Sequence, residues 1–202
     1  MEADNIDGKK EPKRLPVWAC IPLFIVVLFI FIGLYGTLVS GGLSLVLGVE
    51  ARHPGVVGYI FVEASMLLAV LTAAVILLRL ERRPFSDLGL SLKGHASGLW
   101  YGLLMAILLY LLGFGISVVL GEIEVTGFQF KPLDLLGSWV FFLLVALFEE
   151  ILMRGYILGR LLHTNMNKFL ALFISSALFA FMHIFNPEIA FLPMLKIGRA
   201  HV

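Results

Sequence analysis

Charge is what this sequence has least of: 14% of its 202 residues are Asp, Glu, Lys or Arg, against 60% that are hydrophobic. Soluble domains carry about 25% charged residues, so a water-soluble globular fold is excluded. The 15 basic and 14 acidic side chains leave a net charge of +1. No global field exists to gather a polyanion, and no nucleic-acid partner is expected. Cysteine is nearly absent as well. Cys20 is the single one, which excludes an internal disulfide and a cysteine-based zinc site and leaves packing as its expected role. Internal repeats, low-complexity tracts and a soluble domain are also missing.

What is present is a series of apolar runs, each near the roughly 20 residues that cross a hydrocarbon core. They cover Val17 to Val39, Val56 to Leu80, Gly98 to Leu120, Leu133 to Leu162 and Phe169 to Phe185, with a fragment from Glu188 to Leu195. The expected fold is all-α: a polytopic transmembrane helical bundle of five spans plus the start of a sixth, with the lipid bilayer as its main partner. Residues 1–16 form a polar N-terminal tail, and 17–195 form one transmembrane domain. Lys9, Lys10, Lys13 and Arg14 precede the first span; Arg79, Arg82, Arg83 and Lys93 join the second and third; Arg160 and Lys168 flank the turn between the fourth and fifth. Basic residues mark cytoplasmic loops, so the N-terminus is expected in the cytoplasm of a protein residing in the cell membrane. The segment from Glu81 to Ser97 reads as a loop, with Leu88 among the apolar residues able to touch the interface.

Three charges interrupt the fourth run. Glu149, Glu150 and Arg154 lie in LDLLGSWVFFLLVALFEEILMRGYILGRLL, where each ionisable residue adds about 2.5–3.5 kcal/mol on insertion scales and needs a polar neighbour. Glu150 and Arg154 stand one turn apart with the acid first, the favourable order for a helical ion pair. Glu149 projects about 100° away and has no local counter-charge. On the fifth run Ser176, Phe179 and His183 share a face, Ser176 being read as a small packing residue. Counted from the turn at Thr164 to Asn167, Glu149 and His183 both lie about 22–24 Å away at 1.5 Å per residue. A carboxylate and an imidazole level with each other in a partly dry cavity can activate water, the glutamate as general base and the histidine assisting. A divalent metal such as zinc could take part with Glu149 and His183 as its ligands, but two donors fall short of the usual three.

The order Glu149-Glu150-x-x-x-Arg154-Gly155, then Phe179-x-x-x-His183 on the next span, resembles the first two signature motifs of the CAAX prenyl-protease and bacteriocin-processing family of intramembrane endopeptidases. The resemblance covers residues 133–185, the last third of the chain. It implies an endopeptidase acting on membrane-associated proteins or peptides, prenylated tails being one substrate class, with Glu149 as general base and His183 helping to activate water. Glu150, Arg154 and Phe179 would support the site. The family adds a further helix with a His and, four residues on, an Asn or Asp, which does not appear before the apolar pattern breaks at Lys196. The tail KIGRAHV, residues 196–202, reads as a translated sequencing adapter, so His201 is not counted as a ligand.

Two other readings use the same charges: a non-catalytic membrane protein that binds a bacteriocin as an immunity factor, and a proton-coupled transporter. Other intramembrane protease chemistries lack their marks here, because the sequence has no HExxH helix, no GxSG motif and no paired intramembrane aspartates.

Overall fold

A chain segment inside lipid must satisfy its own backbone hydrogen bonds, and a helix does so without help from neighbours. The computed structural model describes residues 16–47, 55–90, 94, 96–127 and 130–184, and among the described residues every regular element is helical. The helices are α1 (Val17–Leu47), α2 (Gly55–Leu80), α3 (Ala96–Val119), α4 (Pro132–Leu162) and α5 (Lys168–Ile184). Four of them are long and apolar enough to cross a membrane, and the fifth, α5, has 17 residues. The protein is thus an integral membrane helical bundle, as the apolar runs foretell. The fragment from Glu188 to Leu195, the tail 196–202 and the N-terminal residues 1–15 lie outside the described residues.

Helix α1 continues past Val39, where its purely apolar run ends. Hydroxyls in its last turns bond back to the helix itself: Thr37 Oγ1 donates to Gly33 O at 2.9 Å and Ser44 Oγ to Gly41 O at 2.9 Å. Polar side chains satisfied in this way do not stop a helix.

Helix α2 is the centre of the packing. Its small residues Ala69, Ala73 and Ala74 are fully buried with Val70 and Leu77, and small side chains let helices approach closely in lipid. α1 lies antiparallel to it, with the Tyr35 hydroxyl 3.3 Å from Thr72 Oγ1. α4 runs parallel to α2. Val56 stands against Gly137, where a side chain would come within 2.8 Å of Val56 Cγ1, and Tyr59 meets Phe141 edge-on at 6.3 Å. Helix α5 returns antiparallel to α4 after the turn at 163–167, where Asn167 Oδ1 accepts from the Phe169 N–H at 2.8 Å. None of the apolar window of α3 is buried.

The fourth span is not a uniform α-helix. Ile151–Leu158 is π-helical, between α-helical stretches Pro132–Glu150 and Gly159–Leu162. A wide turn of this kind is uncommon and concentrates at functional sites. The physical setting is a 3₁₀ turn, Phe85–Leu88, pressed against it. A Cβ on Gly155 would lie 3.1 Å from the Leu88 carbonyl oxygen, and one on Gly159 3.6 Å from that of Asp87. The segment expected as a plain loop from Glu81 therefore contains an ordered turn with a buried Leu88.

Candidate active site

Glu149 is on the last α-helical turn before the π segment, and His183 is near the end of α5. His183 Nε2 stands 3.4 Å from Glu149 Oε1, and each side chain is about one-third exposed. The depth count assumed α-helical rise throughout α4, which the π segment does not have, yet the two residues still meet. The pairing of Met153 with Ser175 keeps the two helices in step: Ser175 Oγ donates to the Met153 carbonyl at 3.4 Å, inside the π segment.

The ring of His183 is held from behind. Its Nδ1 lies 2.9 Å from the Phe179 carbonyl oxygen, and a carbonyl only accepts, so Nδ1 carries the proton. Nε2 is then the atom that faces Glu149. The Phe179 ring packs on the imidazole with centroids 4.4 Å apart and planes 47° from parallel. Phe179 therefore touches His183 through both its carbonyl and its ring.

Glu150 and Arg154 form the ion pair expected from their spacing, between Glu150 Oε1 and Arg154 Nη1. With Glu149 they line a cleft of about 150 Å³ between α4 and α5, floored by Met153, Leu158 and Leu172 and bordered by Ser176 and Phe179. Ser176, expected only to pack helices, is exposed and borders this cleft. The cleft combines an apolar floor with three charges and two hydroxyls, Ser175 and Ser176, so polar groups stand beside apolar surface. Glu149 and His183 would be the donors for a metal, but among the described residues no group of three His, Cys, Asp or Glu is arranged to hold one. Glu149 and His183, the two donors paired here among the described residues, fall one short of the three protein ligands of a catalytic zinc.

Two features escaped the sequence reading. Glu63 on α2 interacts electrostatically with Glu149. Its signal was present, since it is the only charged side chain between Val56 and Leu78. The second feature is a buried polar knot at the far end of the π segment. The Tyr156 hydroxyl donates to Glu81 Oε1 at 2.6 Å beneath the stacked Phe24 ring, and Arg160 Nε lies 2.8 Å from Glu81 Oε2. That N–H does not point at the oxygen, so the contact is an ion pair without a directed hydrogen bond. Arg160 Nη2 also reaches Cys20 Sγ at 3.5 Å, which gives the lone cysteine a polar neighbour as well as a packing role. Nothing local in the sequence joins these residues.

The comparisons with known proteins agree with the motif. A family model described as "Rce1-like: Type II CAAX prenyl endopeptidase Rce1-like" matches residues 131–200. No curated protein and no solved structure matches the chain. The matched segment contains Glu149, Glu150, Arg154, Phe179 and His183 together. Over that segment the chain is similar to the Rce1-like type II CAAX prenyl endopeptidases.

Proposed function

We propose that the protein is an intramembrane endopeptidase that hydrolyses a peptide bond in membrane-associated, prenylated substrates by water that Glu149 activates. The observation that carries this reading is the 3.4 Å approach of His183 Nε2 to Oε1 of Glu149, a part-exposed side chain that also lines the cleft. Glu149 as a carboxylate takes a proton from water as the oxygen attacks the scissile carbonyl. Nε2, opposite Oε1, exchanges that proton with Glu149, which returns it to the departing amine. The Glu150–Arg154 pair fixes the wall of the cleft that bears the base. Its apolar floor suits a substrate that arrives from lipid.

The basic residues around the first span and its neighbours support a cytoplasmic N-terminus in the cell membrane. The α2–α3 connection and the turn before α5 then lie on the cytoplasmic side.

The test uses the full-length protein in detergent or proteoliposomes with an internally quenched peptide bearing a prenylated cysteine near its C-terminus. Glu149→Gln is expected to lower kcat about 10²–10⁴-fold while the thermal unfolding profile stays that of the unaltered protein. Full activity in Glu149→Gln would refute the proposed mechanism.

A further inference from the structure

Helix α2 brings a third titratable side chain near Glu149. Val56 and Tyr59 face α4, against Gly137 and Phe141 respectively. Glu63 is one turn beyond Tyr59 and on the same face. The parallel register that pairs 59 with 141 sets Glu63 level with Val145, one helical turn, or about 5.4 Å, from Glu149. Glu63 and Glu149 interact through their charges. Glu63 is neither fully buried nor fully exposed. Three helices, α2, α4 and α5, thus bring titratable groups to within about one helical turn of each other in height: Glu63, Glu149 with its neighbour Glu150, and His183.

The surroundings define what Glu63 can do there. On α4 the Glu150 carboxylate is matched by Arg154, and on α5 His183 is matched by Glu149. α1, the other helix packed on α2, carries only Tyr35 and Cys20 as titratable groups. The first is bonded to Thr72 and the second lies by Arg160 at the far end. Among the described residues no ion pair or hydrogen bond occupies Glu63. It makes no direct hydrogen bond to Glu149 either. A carboxyl group set about one turn from another across a helix contact is spaced to share a single water with it, and a held water needs two to four polar partners.

We propose that Glu63 is a positioning residue for the attacking water: it accepts one hydrogen of the water while Glu149 takes the other. This rests on the endopeptidase reading and refines it. One O–H of the water points at Glu63, the second is broken by Glu149, and the freed lone pair forms the bond to the scissile carbon. Glu63 gains and loses no proton. Its contribution is orientation, which acts on the chemical step and leaves substrate binding alone.

The test compares Glu63→Leu, Glu63→Ser and Glu63→Gln in the full-length protein with the prenylated quenched peptide, beside Glu149→Gln. Removing a charge from a span makes insertion easier, and Glu63→Ser supplies a second small variant. Glu63→Leu and Glu63→Ser are expected to lower kcat about 10–100-fold, the scale of one lost hydrogen bond to a charged group, with KM within about threefold. Glu63→Gln keeps an acceptor oxygen and is expected to recover most of the loss. Unchanged kcat in Glu63→Leu and Glu63→Ser, with Glu149→Gln slowed, overturns the role of Glu63 alone; a Glu63→Gln as slow as Glu63→Leu overturns it too. Full activity in Glu149→Gln would instead remove the reading beneath it.

Discussion

The Nδ1 atom of His183 is tied to the Phe179 carbonyl, 2.9 Å away on the same helix, and this contact decides which ring nitrogen meets Glu149. A histidine whose Nδ1 is engaged offers only Nε2 to the chamber, and Nε2 lies 3.4 Å from Glu149 Oε1. That spacing is longer than a tight hydrogen bond, as catalytic contacts often are before substrate closes on them.

His183→Ala should therefore slow the chemical step. General acid–base partners contribute about 10²–10⁴-fold, and a drop in kcat within that range is expected in steady-state cleavage of the prenylated peptide. Phe179→Ala keeps the backbone carbonyl and loses only the ring contact. Its loss should stay within about tenfold, the scale of one aromatic contact. Equal losses in the two variants would contradict this division.

The π segment depends on close approach of the 3₁₀ turn. Gly155→Val would force branched carbons into the Leu88 carbonyl, already 3.1 Å from a Cβ placed there. Overpacking of this kind costs about 1–3 kcal/mol. Thermal unfolding in detergent should show the loss, and activity should fall with it because Arg154 precedes Gly155 in the chain and lines the cleft. A Gly155→Val protein as stable and active as the original would show that the turn does not hold the π segment.

At the buried knot Tyr156 and Arg160, partners of Glu81 alongside Arg83, are not equivalent. Tyr156→Phe leaves Glu81 Oε1 without its donor and should cost about 1–3 kcal/mol. Glu81→Ala strands the Arg160 guanidinium, whose side chain is only 7% exposed, and breaking a buried pair costs about 3–5 kcal/mol. The expected order of unfolding temperatures is the original protein, then Tyr156→Phe, then Glu81→Ala. A reversed order would mean that the hydrogen bond, not the ion pair, anchors the knot.

Much of the site was legible in the residues because lipid makes charge conspicuous. Glu149, Glu150 and Arg154 stood out in an apolar run, the four-residue spacing named the Glu150–Arg154 pair, and counting from the turn at 164–167 put His183 level with Glu149. Glu63 gave the same signal, but nothing near it in sequence supplied a partner, and its meaning appears only when Tyr59 is set against Phe141. The π segment could not be read from ILMRGYIL, because its setting is a turn drawn from residues 85–88, distant in the chain. Glu81 and Arg160 looked like two loop-end charges for the same reason. The helical class followed from apolar length, and α5, at 17 described helical residues, matches the apolar run from Phe169 to Phe185 shifted by one residue.

The pairing of Glu149 with His183 is tested most directly by kcat for Glu149→Gln, His183→Ala and the double variant, measured on the same prenylated peptide. Residues that act as one unit are strongly non-additive, so the double variant should be no slower than the slower single variant. If the two losses multiply, the residues act independently and the shared water-activating role is contradicted.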